Sequence, residues 1–309
     1  MASLAGPPSL RVHLPQPAHE SKMPVVQKGE AMRRHWTSDD IVINGRRLHY
    51  TRTGRGDKRP LVLVHGFSDN GLCWSPVAGE LESDYDIIMP DMRGHGLSAR
   101  VRPGEDVDMA ADLAEIIHRL GLHQPVVAGH SMGAGVAYRL CVRFPGLAGA
   151  LILEDPLWRV PRPEPNAPPD RSAENSVVAW AKDLPRHTLE ELLEGYRRDH
   201  PDWPEELIRH MCESKKQLDP AIIDILAEKM HAGQADWMRT IRSLTLPLLI
   251  ITGNEERGSL FAPAAAARIR ELNPSVVIVN LPDVGHLIRF DNFPAYMHAF
   301  HTFLNRLSS

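Results

Sequence analysis

The pentapeptide GHSMG at residues 129–133 places a serine between two glycines, and it is the first pattern in this sequence that could perform chemistry. An apolar run over residues 125–128 precedes it, and a helical pattern over residues 134–144 follows it. Glycines on both sides permit a sharp turn between strand and helix, which lifts a hydroxyl clear of the backbone. The pattern predicts that Ser131 is a nucleophile; a surface serine in a glycine-rich connector is the alternative.

A nucleophilic serine needs a base that takes its proton and later returns it to the leaving group. We assign this role to His286, which follows a strand pattern in a glycine-containing loop. Five other histidines compete for it: three lie in motifs, and two lie in the last helical pattern (His65, His95, His130, His298 and His301). His130 adjoins the serine, but a sharp turn directs the neighbouring side chain elsewhere, so His286 is preferred.

Strand patterns surround these residues and must position them. Continuous apolar runs predict strands that are covered on both faces, at residues 61–64, 86–89, 125–128, 150–153, 246–252 and 276–281. An alternating pattern around Asn44-Gly45 predicts an antiparallel hairpin over residues 40–53 at the edge of the sheet.

Helical patterns alternate with the strands. Apolar residues spaced three and four apart predict a helix over residues 109–120 and a last helix over residues 294–307. The fold class is therefore α/β, with a mostly parallel, doubly wound sheet. Sites in such sheets lie beyond the carboxyl ends of the strands, where Ser131 and Asp155 both fall.

The strand rhythm stops over residues 156–244, where prolines cluster and short helical patterns follow. Because the sheet needs strands from both sides of this stretch, we expect a helical cap inserted into a core of residues 37–155 and 245–309. Residues 1–36 are rich in prolines and polar residues without periodicity, which predicts a loosely ordered extension. Trp158 follows the cap entrance, and we assign it to substrate contact, with a place in the cap's own core as the alternative.

Composition excludes several classes of function. Hydrophobic residues make up 43% and charged residues 24% of the 309 residues, which is typical of a soluble globular protein. The formal charge of −4, without a basic stripe, argues against nucleic acid as a partner. Three cysteines without C-x-x-C spacing predict neither a disulfide framework nor a zinc site. No apolar stretch reaches the roughly 20 residues that span a bilayer, so we expect a cytoplasmic protein; nothing specifies its oligomeric state.

Six motifs in this order resemble the α/β-hydrolase fold family, over about residues 40–307. They are LVLVHGF at 61–67, DMRGHGLS at 91–98, GHSMG at 129–133, LILEDP at 151–156, LLIITGNEERG at 248–258 and LPDVGH at 281–286. The resemblance implies a nucleophile, an acid and a histidine in that order along the chain. It also implies that His65 and His95 shape loops, and that the backbone N–H groups of Phe67 and Met132 form the oxyanion hole.

The acid that orients His286 has two candidates. In most of the family an aspartate lies three residues beyond the glycine that ends the strand near residue 250, and here that position is Glu256. Glu256 is preferred, although its extra methylene displaces the carboxylate. Asp155 is the alternative, because some members of the family recruit their acid from the end of the preceding strand.

A serine nucleophile implies acyl chemistry, whereas the epoxide hydrolases and haloalkane dehalogenases of this fold use an aspartate. We expect a serine hydrolase that cleaves a carboxylic ester or lactone of a small molecule through an acyl-enzyme, without metal or organic cofactor. An aromatic cap favours an apolar or ring-containing substrate. Hydrolysis of a carbon–carbon bond, amide or thioester is an alternative, as is a small-molecule receptor without turnover.

Overall fold

A computed structural model describes residues 35–102, 104–158, 160, 172–233 and 237–307. Its eight strands are β1 (Thr37–Ile43), β2 (Arg46–Arg52), β3 (Arg59–Val64), β4 (Tyr85–Pro90), β5 (Val126–His130), β6 (Ala150–Glu154), β7 (Leu248–Thr252) and β8 (Val277–Asn280). They form one sheet in the order β1-β2-β4-β3-β5-β6-β7-β8. The pairs β1–β2 and β2–β4 are antiparallel, and all the others are parallel. The predicted fold class is confirmed.

The central strands are buried along their whole length, as their continuous runs of Val, Ile and Leu require. The register aligns their carboxyl ends, because Val64 pairs with Gly129 and His130 pairs with Glu154. Residues that follow neighbouring strands therefore meet at one edge of the sheet.

The predicted edge hairpin is also confirmed. Asn44 and Gly45 connect β1 and β2, with φ values of 51° and 73°. A two-residue turn with positive φ at both positions matches the twist of the flanking strands, which explains why Asn-Gly is found there.

Helices flank the sheet. They are α1 (Ser75–Leu81), α2 (Met109–Arg119) and α3 (Met132–Arg143) before β6, and α9 (Pro263–Leu272), α10 (Ile288–Asp291) and α11 (Phe293–Arg306) after β7. The expected helices over residues 109–120 and 294–307 correspond to α2 and α11, with ends that agree within one residue.

Between β6 and β7 the described part of the chain contains helices and no strand. They are α4 (Ser172–Asp183), α5 (Leu189–Asp199), α6 (Glu205–Gln217), α7 (Pro220–Gly233) and α8 (Trp237–Thr240). They fall within the span that the sequence assigns to a cap, a division of the chain that stays a prediction. Most of the predicted N-terminal extension, residues 1–34, lies outside the described residues. Among the helices that the structure describes, none has the length and apolar character to cross a bilayer.

Candidate active site

Ser131 lies at a strained turn between β5 and α3. Its φ of 52° and ψ of −113° fall outside the regions that L-residues favour, and strain of this kind concentrates at functional sites. Its N–H donates to the carbonyl oxygen of Glu154 at 2.9 Å, so the turn is fixed to the end of β6. Within the described structure its hydroxyl forms no hydrogen bond, so it is free to meet a substrate.

Close backbone contacts require both glycines of the pentapeptide. A Cβ on Gly129 would overlap the carbonyl oxygen of Gly133, and a Cβ on Gly133 would overlap the carbonyl oxygen of Val64. Neither backbone can move without displacing a central strand or the helix. These contacts explain the pattern from which the turn was predicted.

The ring of His286 is held by Asp155. Nδ1 of His286 lies 2.6 Å from Oδ2 of Asp155, and because a carboxylate only accepts, this contact selects the tautomer of the neutral ring in which Nδ1 carries the proton and Nε2 is the acceptor. Asp155 is completely buried, and its carboxylate also accepts from Oγ of Ser259 at 2.5 Å and from N–H of Leu260 at 2.8 Å. This acid is therefore held by three donors.

Glu256, the preferred acid in the sequence, is not brought to His286, and that preference does not fit the geometry. Glu256 lies in an exposed 3₁₀ turn, and its N–H donates to Oδ1 of Asn254. Its carboxylate makes no hydrogen bond or ion pair with the rest of the described chain. The physical reason is the loop path: Gly258, with a φ of 97°, turns the chain back so that Ser259, not Glu256, reaches the site.

Two glycines bring the loop that carries His286 against the loop after β7. A Cβ on Gly253 would overlap the carbonyl oxygen of Gly285, and a Cβ on Gly285 would overlap that of Arg257. The N–H of Asn254 donates to the carbonyl oxygen of Val284 at 2.8 Å. These contacts fix the position of His286 relative to the carboxyl ends of the strands.

His130 connects the serine turn to the histidine loop. Its Nε2 lies 3.1 Å from the carbonyl oxygen of His286, and the two ring centroids are 4.7 Å apart. Complete burial holds the pKa of His130 well below its usual range, so its ring is neutral. No hydrogen bond joins the Ser131 hydroxyl to the His286 ring in the described structure; such bonds are often long in unliganded enzymes and tighten when substrate binds.

A buried ion pair that the sequence did not reveal lies behind these residues. Arg289 donates to the carboxylate of Glu154 through Nη1 at 2.8 Å and through its backbone N–H at 3.2 Å. Its guanidinium lies 4.1 Å from the ring centroid of Trp74 and 4.2 Å from that of Phe290. Burial raises the pKa of Glu154, and Arg289 opposes that rise. An acidic residue inside the apolar run LILED was the available signal, but its partner is 135 positions away.

The expected oxyanion donors lie where the loop after β3 meets the start of α3. A Cβ on Gly133 would overlap the carbonyl oxygens of both Val64 and His65, so the two segments touch. The N–H groups of Phe67 and Met132 donate to no other described residue. Two free backbone donors beside a nucleophile can stabilise an oxyanion.

His65 has a role in this loop. Its Nε2 accepts from the N–H of Met92 at 2.9 Å, and its Nδ1 lies 2.8 Å from the carbonyl oxygen of Gly66. Burial lowers its pKa, so the ring is a neutral cross-link between two loops. Its ring centroid lies 5.0 Å from that of His95.

Trp158 is buried in an aromatic cluster. It is 5% exposed, stacks on Trp237 with 5.3 Å between ring centroids, and meets the edge of Tyr138 at 4.7 Å. It lines a cavity of about 350 Å³ whose described wall contains neither Ser131 nor His286. The contact between Trp158 and a substrate therefore stays a prediction, and the alternative, a core position, fits its surroundings.

The expected nucleophile and base, Ser131 and His286, and the alternative acid, Asp155, thus follow β5, β8 and β6, an arrangement that would suit acyl transfer. Across the described residues, no group of three or more His, Cys, Asp and Glu side chains is placed to hold a metal ion.

Comparison with known proteins gives consistent results. The model of the alpha/beta hydrolase family matches residues 61–298. N-formylmaleamate deformylase of Pseudomonas putida is 30% identical over 279 residues, which cover 86% of this chain and 96% of that protein. The 2-(acetamidomethylene)succinate hydrolase of Mesorhizobium japonicum is 28% identical over 263 residues, or 82% of this chain and 90% of that protein. The crystal structure of an N-formylmaleamic acid deformylase of Pseudomonas putida S16 has a TM-score of 0.67 and 26% identity, and covers 85% of this chain and 100% of its own.

Proposed function

This chain belongs to the alpha/beta hydrolase family, and from that premise we propose that it is a serine hydrolase that cleaves the acyl–nitrogen bond of a small amide. Ser131 is the nucleophile, His286 the base and Asp155 the acid. The observation that carries the proposal is the 2.6 Å contact between His286 and Asp155, made at the strand end to which the N–H of Ser131 is bound.

The chemistry of these groups accounts for both half-reactions. Oγ of Ser131 attacks the acyl carbon while Nε2 of His286 takes its proton, and Asp155 stabilises the resulting imidazolium. The oxyanion accepts hydrogen bonds from the N–H groups of Phe67 and Met132. When the tetrahedral species collapses, the C–N bond breaks and His286 protonates the leaving nitrogen. Water, deprotonated by His286, then attacks the acyl-enzyme, and Ser131 leaves with a proton.

The choice of an amide rests on the relatives. Their names specify an N-formyl group in one substrate and an acetamido group in the other, and both substrates are derivatives of small carboxylic acids. An ester or lactone, which led the sequence-based expectation, forms the same acyl-enzyme with a better leaving group and is expected as a side activity. The sequence led us to expect an apolar or ring-containing substrate. In this proposal the substrate instead carries a carboxylate.

A labelling experiment combined with a substrate panel tests this proposal. A fluorophosphonate probe is expected to label the protein once, at the peptide that contains Ser131, and Ser131→Ala is expected to abolish both label and turnover. Ser83→Ala, at an exposed serine, is the matched control. The panel compares N-formyl and N-acetyl amides of small carboxylic acids with p-nitrophenyl butyrate, a lactone and a thioester.

The highest kcat/KM is expected on an N-acyl amide. A highest value on the ester, lactone or thioester would contradict the amide assignment while leaving the serine mechanism intact. Turnover that persists in Ser131→Ala would contradict the mechanism. Tight binding of a panel compound without turnover would identify a receptor instead.

A further inference from the structure

A buried ion pair joins helix α6 to the loop that follows β3. Nζ of Lys215 lies 2.5 Å from Oδ1 of Asp69, and the two side chains are 2% and 5% exposed. Burial alone would lower the pKa of Lys215, but the Asp69 carboxylate raises it, and the net pKa lies above the ordinary value. Lys215 is therefore charged, and its ammonium contacts the Asp69 carboxylate in an environment that excludes water.

Two further polar contacts join the same helix to the same loop. Nδ2 of Asn70 donates to Oε1 of Gln217 at 2.9 Å, and Nε2 of His210 lies 3.1 Å from Oδ1 of Asn70. Successive loop residues, Asp69 and Asn70, are thus bound by three side chains of α6. This density of contacts marks α6 as a fixed support of the loop.

The loop needs such support because its backbone is strained. Ser68 is buried and has a φ of 66°, a left-handed conformation that non-glycine residues adopt rarely. Strain of this kind persists only where the surroundings over-determine it. Ser68 stands between Phe67, whose N–H is the oxyanion donor of the proposed function, and Asp69, which the ion pair holds. The N–H of Asp69 also closes a tight turn onto the carbonyl oxygen of Gly66 at 3.2 Å.

We propose that Lys215 and Asp69 are positioning residues that aim the backbone N–H of Phe67 at the oxyanion. This inference rests on the proposed function, and it makes α6 a support of the catalytic apparatus. Without the ion pair, the strained turn relaxes and the donor moves away from the position that the oxyanion occupies. Hydrogen bonds to an oxyanion act over a narrow range of distances, so a small displacement is sufficient.

The inference predicts a particular kinetic signature. An oxyanion exists in the transition state and not in the bound substrate, so its loss lowers kcat and leaves KM unchanged. Removal of one donor costs about 10²–10³ in rate, and a displaced donor is expected to cost about 10- to 100-fold. A role confined to stability would lower the melting temperature and the fraction of active protein, but not kcat per active site.

The decisive variant is the double substitution Asp69→Asn with Lys215→Met, which removes both charges and leaves no buried charge without a partner. Arg197→Met is the matched control, because it breaks the exposed ion pair of Arg197 with Glu205 between α5 and α6. For each protein we would measure kcat per titrated active site, KM, the melting temperature and the affinity for a boronic acid that forms a tetrahedral adduct with Ser131.

The double variant is expected to lose about 10- to 100-fold in kcat and a similar factor in boronic acid affinity, with KM within about twofold of the wild type. The control is expected to keep all three values. A folded double variant with wild-type kcat and boronic acid affinity would overturn the inference.

If the double variant does not fold, the variant Asp69→Glu provides the test. It keeps both charges but displaces the loop, and a wild-type kcat in this variant would overturn the inference. Ser131→Ala, assayed alongside, separates this outcome from failure of the proposed function, which retained turnover would reveal.

Discussion

Two neighbouring strands, β6 and β7, are each followed by an acidic residue that could orient the histidine, and their surroundings differ completely. Asp155, after β6, is buried, has a φ of 46° and binds three donors. Glu256, after β7, is exposed and turns away in a short 3₁₀ segment. The two loops still cooperate, because the loop after β7 supplies Ser259 and Leu260 as donors to Asp155. What distinguishes the acid is a backbone that directs it inward and donors that hold it there.

Among variants that test the difference between Asp155 and Glu256, removal of the carboxylate after β6 is expected to have the largest effect. Asp155→Asn is expected to lower kcat by about 10³–10⁴, because an amide cannot hold the required tautomer or stabilise the imidazolium. Steady-state kinetics on the best substrate of the panel provide the measurement. A loss of less than about tenfold would contradict the assignment.

The buried pair behind the site tests whether β6 also supports the fold. Arg289→Met leaves the Glu154 carboxylate buried without its partner and is expected to lower the free energy of unfolding by about 3–5 kcal/mol. Urea unfolding measures this value. The double variant Glu154→Gln with Arg289→Met is expected to recover part of the loss, and no recovery would show that the ion pair is not its cause.

The contribution of the loop after β7 can be measured through its hydroxyl donor. Ser259→Ala removes one hydrogen bond to Asp155 and is expected to lower kcat/KM by about tenfold, the equivalent of roughly 1.4 kcal/mol. Ser275→Ala, at an exposed serine before β8, is the control. Wild-type activity in Ser259→Ala would mean that the two loops do not cooperate.

The smallest effect is expected at the acid that the sequence favoured. Glu256→Gln is expected to leave kcat/KM within about twofold, because its side chain is exposed and has no partner among the described residues, as at ordinary surface substitutions. Glu255→Gln, its exposed neighbour, is the matched comparison. A loss of two orders of magnitude in Glu256→Gln alone would reverse the comparison between the two strand ends.

The sequence predicted the sheet and the serine turn because their signals are local. A continuous apolar run defines a buried strand, and Gly129 is required by a contact with Gly133 within the turn itself. Gly133 packs against Val64 of the neighbouring strand, but the G-x-S-x-G spacing that indicates the turn is still local in the sequence. The acid could not be assigned in this way. Counting three residues beyond Gly253 gives a position in the chain, but which residue reaches the site depends on the path of the loop, which turns back at Gly258 with a φ of 97°.

Two buried ion pairs could not be predicted from the sequence either, because their partners are far apart along the chain. Glu154 and Arg289 are 135 positions apart, and Asp69 and Lys215 are 146 apart, so only the folded chain brings them together. A charged residue inside an apolar run indicates that a partner exists, but it does not say where the partner lies. For Trp158, the sequence placed it near the cap entrance but could not show that Trp237 would cover it.

The most direct test of the central claim is nuclear magnetic resonance of the proton on Nδ1 of His286, in protein with ¹⁵N-labelled histidine. A proton held between an imidazole and a carboxylate resonates far downfield, and loss of the signal in His286→Gln assigns it. We predict that the signal persists in Glu256→Gln and disappears in Asp155→Asn. A signal that persists in Asp155→Asn and disappears in Glu256→Gln would contradict this prediction.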